Sequence, residues 1–373
     1  MKDLGKQAGL TLVELLIASV LGLLLTLGVA QLFVSGSDTF RLAESIGRMQ
    51  ESGRLAQDIL GRSVRSTDYW GCLSADRIRS VVDENHGSYD PDLHNFVDPQ
   101  GIQFDIGDGT TAATGTVLIQ LKGMRSVALP VDTSAGGTNG APISGRTIPL
   151  QSLSAGQVNK GGFAMLSDCD DAIVFRVSDI DLANNTVDLA ATITDSGGNA
   201  VVPGNEAAGS CSDSSLPNCF PATLAGGELF TGYVERYYIR DDNGRRSLVF
   251  DGFGPTGVIN RQEIVSDVID MQVQVGSGPR GDNVINNWQT VNAGNLTTVN
   301  EKSVTYVKAA RISLLVRSQE DGVAGSLQDV CYPAWSNCTA GNNWTPANTA
   351  DRHYYRVYTS TYSIRNRLLD TSP

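Results

Sequence analysis

The chain has 373 residues and a formal net charge of −12, from 28 Lys and Arg against 40 Asp and Glu. An acidic balance of this size argues against phosphate-backbone binding as the main task, so no nucleic-acid partner is expected. Six cysteines and three histidines, with no Cys-x-x-Cys pair, argue against a zinc site, and no metal or cofactor is expected.

The chain opens with nine residues that are short and polar, with Lys2, Asp3 and Lys6. They lack the apolar core that a conventional signal peptide places ahead of its small residue. Here the small residue, Gly9, comes first, and an apolar run with one charge, Glu14, follows over residues 10–33. A cut after Gly9 would leave that run on the mature protein. It is long enough to span a bilayer, which takes about 20 apolar residues. A carboxylate at depth costs roughly 2.5–3.5 kcal/mol on insertion scales and needs a cationic partner. The α-amino group of a newly cut Leu10, its own or a neighbouring subunit's, is the candidate.

Helix is expected to continue beyond the membrane. No proline precedes Pro91, and Ile46, Met49, Gly53, Ala56, Leu60 and Val64 recur at spacings of three and four. Arg41, Glu44, Arg48, Glu51, Arg54 and Asp58 occupy the opposite, solvated face. A helix from Leu10 to about Ser66 would be roughly 85 Å long, with its second apolar stripe docked on a folded domain.

From Thr67 the pattern turns from helical to stranded. Residues 74–162 are rich in Gly, Ser, Thr and Asp and read as loops and short strands, with one short strand over 117–121. Strands are expected over 172–177 and 186–193. Residues 233–240 and 246–250 flank Asp241-Asp242-Asn243-Gly244, a hairpin signal. The regular C-terminal third predicts strands over 264–275, 308–317 and 354–364, the last marked by Tyr354, Arg356, Tyr358, Tyr362 and Ile364. A helix followed by consecutive strands points to α+β architecture, with an antiparallel sheet packed on the helix.

All six cysteines, Cys72, Cys169, Cys211, Cys219, Cys331 and Cys338, lie beyond the apolar run, which suits an oxidising compartment. Sequence cannot choose among the 15 pairings. We expect Cys211–Cys219 and Cys331–Cys338 to close locally, leaving Cys72 with Cys169. Arg236, Arg240, Arg245 and Arg246 read as a solvated hairpin. Arg280-Gly281-Asp282 sits in a turn-like stretch, and Asp179, Asp181, Asn184 and Asn185 read as a turn and not a calcium loop. His86 and His94 share a polar loop with Asp90 and Asp92. No metalloprotease pair or serine elbow occurs, so no catalytic residues are assigned.

Gly9-Leu10-Thr11-Leu12-Val13-Glu14 resembles the processing site of type IV prepilins. The resemblance implies cleavage after Gly9 by a membrane prepilin peptidase and N-methylation of Leu10, where the family usually has Phe. It also implies that Glu14, fifth after the cut, registers incoming subunits. Tyr69-Trp70-Gly71-Cys72, Leu166-Ser167-Asp168-Cys169, Ile264-Val265 through Asp270-Met271-Gln272, residues 311–317 and Ser363-Ile364-Arg365-Asn366 look like PilW-type minor pilins.

That resemblance implies a pilin-like fold, in which the long N-terminal helix packs on an antiparallel β-sheet head with large loop insertions. The organisation would be a leader over 1–9, a membrane or filament-core helix over 10–33, its amphipathic continuation over 34–66, and a periplasmic head over 67–373. The implied role is structural and not enzymatic: a subunit that primes type IV pilus assembly and sits at the tip. Its implied partners are other minor pilins, the major pilin and a large tip adhesin. Before assembly it would be a single-pass inner-membrane protein. The alternative is a J-type pseudopilin of type II secretion, which shares the N-terminal motif but is usually much shorter.

Overall fold

A computed structural model describes residues 11–73, 78–96, 101–134, 146–206, 226–254, 257–279, 282–300, 306–339 and 343–368. Gly9, Leu10, Cys211, Cys219, Arg280 and Gly281 lie outside the described residues.

Helix α1 (Leu12–Ser66) runs unbroken for 55 residues. Its start is set by Thr11, extended at the N-cap, whose hydroxyl accepts the N–H of Glu14. Its end is set by Thr67, also extended, followed by Asp68 in the left-handed region at φ 62°.

After α1 come β1 (Ile78–Ser80), α2 (Pro91–His94), β2 (Ile102–Ile106), β3 (Val117–Pro130), β4 (Thr147–Pro149), β5 (Phe163–Ser167) and β6 (Ala172–Arg176). Then follow β7 (Asp179–Asp181), β8 (Thr186–Asp188), β9 (Glu228–Asp242), β10 (Arg245–Gly254) and β11 (Gly257–Ser266). The chain closes with β12 (Val268–Gly278), β13 (Asn287–Thr290), α3 (Leu296–Asn300), β14 (Tyr306–Arg317), β15 (Tyr355–Ser363) and α4 (Arg365–Leu368).

The α+β, helix-first arrangement is the one the sequence implies, but among the described residues the strands divide among three sheets. The largest runs β1-β6-β5-β9-β10-β11, and β3, backed by β2, takes the other edge of β9. It is antiparallel except for the parallel pair β1–β6. The second sheet, β13-β12-β14-β15, is wholly antiparallel. A small third sheet orders β4-β8-β7. The main core fills the space among the second half of α1 and the two larger sheets. It joins Leu60 and Val64 to Ile119, Tyr237 and Leu248 on one side and to Met271, Ile312 and Leu314 on the other.

Four sequence expectations need correction. The strand expected over 264–275 is two strands in different sheets, broken at Asp267, whose φ of 59° turns the chain. Asp267 is pinned there by N–H donation to the Arg246 carbonyl at 2.9 Å and by the Arg317 guanidinium at 3.3 Å. The short strand expected over 117–121 is the 14-residue β3. Its pattern is masked because Gln120 and Lys122 are buried, their polar ends met by the carbonyls of Asp92 and Asn95. The strand expected over 186–193 stops at Asp188. His94 is buried and not part of a polar loop; its Nδ1 accepts the Asp90 N–H at 2.8 Å.

The hairpin signal holds: β9 and β10 meet at Asn243 and Gly244, both at positive φ. Asp179 and Asp181 lie in β7 and lead into a turn with Asn185 at φ 53°, in which Asp181 accepts the N–H groups of Ala183 and Asn184. Its lone pairs therefore hold the turn.

Candidate functional site: the anchor helix and its docking seam

Every large apolar side chain of α1 from Leu12 to Val34 is at least 55% exposed, and Val323 of the head, which lines a shallow groove beside Leu27 and Val34, leaves them so. By length and composition it can cross a membrane. Leaving such a surface in water forfeits about 25 cal/mol per Å² of apolar area, so it demands lipid or other helices around it. Glu14 sits in the first turn, where a negative charge suits the helix dipole. Its contacts are local: the Thr11 hydroxyl donates to its carboxylate at 3.4 Å. Among the described residues no Lys or Arg pairs with it.

The second half of α1 docks along a seam on the second sheet. Met49, Gly53, Ala56, Leu60 and Val64 are buried, as the three-and-four spacing predicts, and Ile46 packs at the margin. The seam also takes Ser45, Gln57 and Gly61, which an apolar pattern does not mark. Gly53 lies against the ring of Tyr358 and Gly61 against that of Tyr362, so close that a Cβ at either position would collide with the ring. Between them, Gln57 donates to the carbonyl of Tyr358 at 2.9 Å, and the Tyr362 hydroxyl donates to the Gln57 carbonyl at 2.6 Å. One polar side chain thus hydrogen-bonds β15 inside the seam, where unpaired groups would be costly.

A clamp closes the far end of the helix. Arg367 of α4 forms a buried ion pair with Asp68, and its guanidinium also donates to the Val307 carbonyl at 2.8 Å and stacks on Tyr306. The other Asp68 oxygen accepts from Trp70 Nε1 and from the Gly101 N–H, both at 2.9 Å. Asn366 donates to the Thr67 carbonyl at 2.8 Å. A buried pair with its remaining lone pairs satisfied is the arrangement in which such a pair holds, and removing either partner is costly. Nearby, the Cys72–Cys169 disulfide ties the segment after α1 to the turn joining β5 and β6. Cys331–Cys338 closes a seven-residue separation as expected, in the long β14–β15 connection that packs Tyr332 and Trp344 on Leu315 and Tyr355.

In that connection Asp321, Asp351 and His353 bring ligand atoms within 4.8 Å of one another. Their acceptor sites serve the loop itself. Asp351 takes the His353 N–H and the Tyr355 hydroxyl, both at 2.9 Å, and Asp321 takes the N–H groups of Gly322 and Arg352. Arg240, Arg245 and Arg246 face Asp242, Glu263 and Asp241 at the hairpin, whereas Arg236 is half-buried, donating to Gln120 Oε1 at 2.7 Å and stacking on Phe253.

The platform that receives α1 is where likeness to known proteins lies. Residues 236–366 match the PilW family, type IV pilus-assembly protein W. No curated protein and no solved structure matches the chain. The PilW span starts in β9, takes in the whole second sheet with its seam strand β15, and ends in α4 at Asn366. PilW is a structural, non-enzymatic family, and the match implies a role in type IV pilus assembly. The long apolar helix is consistent with a single membrane anchor for such a protein. Sequence reading missed Gln57, Asp68 and Arg367. Two glycines eight residues apart on the buried face of a long helix were the available signal for the ring contacts.

Proposed function

We propose that this chain is a minor pilin of a type IV pilus, made as an inner-membrane precursor with a periplasmic head. A prepilin peptidase removes residues 1–9 after Gly9, and the new amino terminus at Leu10 is methylated. The helix then passes from the bilayer into a filament core, where Glu14 meets the amino terminus of a neighbouring subunit. With other minor pilins the chain primes assembly and remains at the tip, beneath a large adhesin and above the major pilin. The observation that carries this reading is an exposed apolar half-helix whose one carboxylate meets no Lys or Arg among the described residues, joined to a head that matches PilW over residues 236–366. The PilW match favours a pilus over a type II secretion pseudopilus.

Deleting the gene should abolish or sharply reduce surface pili, and blocking retraction should restore few or none. Mass spectrometry of the mature protein should find methylated Leu10 at its amino terminus. Normal piliation without the chain, or an intact Met1 in a peptidase-competent strain, refutes the proposal.

A further inference from the structure

Where α1 ends, beside the clamp and sharing Asn366 with it, the molecule carries an open cleft of about 730 Å³. Arg62 and Arg65 of α1, Arg125 of β3 and Arg365 of α4 surround it, over a floor that includes Tyr233 and Met124. Arg125 is there because β3 slips register between Met124 and Ala128. The slip leaves Arg125, Ser126 and Val127 exposed in an otherwise largely buried strand. Such a bulge re-aims side chains out of a sheet.

The charges are unevenly spent. Arg62 pairs with Asp58, Arg65 stacks on Tyr362 at 5.1 Å and Arg125 on Tyr233 at 5.7 Å. Arg365 makes no ion pair among the described residues. Glu235 supplies a carboxylate in the cleft, and burial pushes its pKa up against the opposing pull of Arg125. In a chain of net charge −12, four guanidinium groups set against two carboxylates, Glu235 in the cleft and Asp58 beside Arg62, leave a local positive field. Guanidinium forks suit carboxylates bidentately, and the half-buried rings of Tyr69 and Tyr233 suit apolar side chains beside them.

We infer that this cleft docks an acidic segment of another pilus subunit, one presenting carboxylates beside apolar side chains. The inference rests on the assembly role proposed above and adds a contact surface to it. Anionic lipid headgroups are out of reach, because Arg65 lies roughly 47 Å along α1 from Val34, where the apolar run ends, at 1.5 Å per residue. A long polyanion such as nucleic acid would meet the acidic remainder of the surface, whereas a short acidic segment meets the cleft alone.

The test places a photo-crosslinking residue, p-benzoylphenylalanine, at Ser126 of the full chain, at native expression in piliated cells. The expected adduct joins Ser126 to an Asp- or Glu-rich peptide of a different pilus subunit. Arg125→Glu with Arg365→Glu should cut its yield roughly tenfold or more, since like charges then face each other. Reversing the mapped carboxylates to Lys should restore it. Thermal melting of the double variant checks the fold, and Arg125→Gln with Arg365→Gln serves if the reversal misfolds. An adduct to residues 369–373 of the same chain, to a second copy, to lipid or to nucleic acid overturns the inference, as does a yield indifferent to the charges. Absence of any adduct in a strain that needs the chain for piliation overturns the cleft alone and leaves the assembly role standing.

Discussion

The two halves of α1 invert the usual relation between hydrophobicity and burial. Over residues 12–34 the helix carries Leu, Ile, Val and Phe, and all of them are exposed. Over residues 45–64 it buries Ser45, Gly53, Ala56, Gln57 and Gly61 beside three large apolar side chains. The first half is shaped by its solvent, since any apolar side chain serves in lipid or among other helices. The second is shaped by fit, since Tyr358 and Tyr362 reach the helix only where side chains are missing. Apolar content therefore marks the anchor, and small residues mark the docked face.

Substitutions that treat the halves alike should separate them. Gly61→Leu drives a side chain into the Tyr362 ring and should cost about 3 kcal/mol or more. Gly22→Leu meets nothing within 4 Å and should leave the head intact. Thermal melting of both variants in detergent decides this; equal melting points would mean that the seam is not close-packed.

Next in size is Cys72→Ser with Cys169→Ser, expected to cost roughly 2–4 kcal/mol because the bridge closes a long loop. Thiol counting on the unfolded, non-reduced protein should first find both residues oxidised.

A smaller effect belongs to pH. Burial holds His94 near a pKa of about 4, against an ordinary value of 6.5. The unfolded chain thus takes up a proton below about pH 6.5 that the folded one refuses. The stability contributed by neutral His94 is fully present above that pH and is lost as pH falls toward 4. His94→Leu should flatten the melting profile within this window; an unchanged profile removes His94 from the account.

The smallest effect on the head should come from Glu14→Ala, which lies tens of ångströms from the seam. Its melting point should match the wild type while surface pili fall. A lowered melting point would mean that the two halves are not independent.

What the sequence made legible follows from the same contrast. The anchor, the apolar stripe of the docked half and the late strands were readable, because lipid and one-sided burial both leave periodic patterns. The break at Asp267 was not, because it depends on a single left-handed residue held by Arg246 and Arg317 from other strands. The length of β3 was hidden because its buried Lys122 is met by carbonyls of a distant loop. Gln57, Asp68 and Arg367 share this property: each has partners about 300 residues away, so no local pattern announces it. Of the proposed processing and registration site, only Glu14 falls within the described residues, and its assignment rests on the motif.

The seam and the clamp together set how the molecule bears load. A pull applied at the Leu12 end of α1 runs along the helix axis, parallel to an interface that extends for roughly 30 Å over residues 45–64 at 1.5 Å per residue. The interface is therefore loaded in shear, and its contacts must yield together instead of one after another. The ion pair of Asp68 with Arg367 stands at the end farthest from the pull, next to the Cys72–Cys169 bridge. Tension entering through the anchor is thus spread across β15 and β14 before it reaches the clamp and the bridge, and the head behaves as a lap joint with a rivet at its distal end.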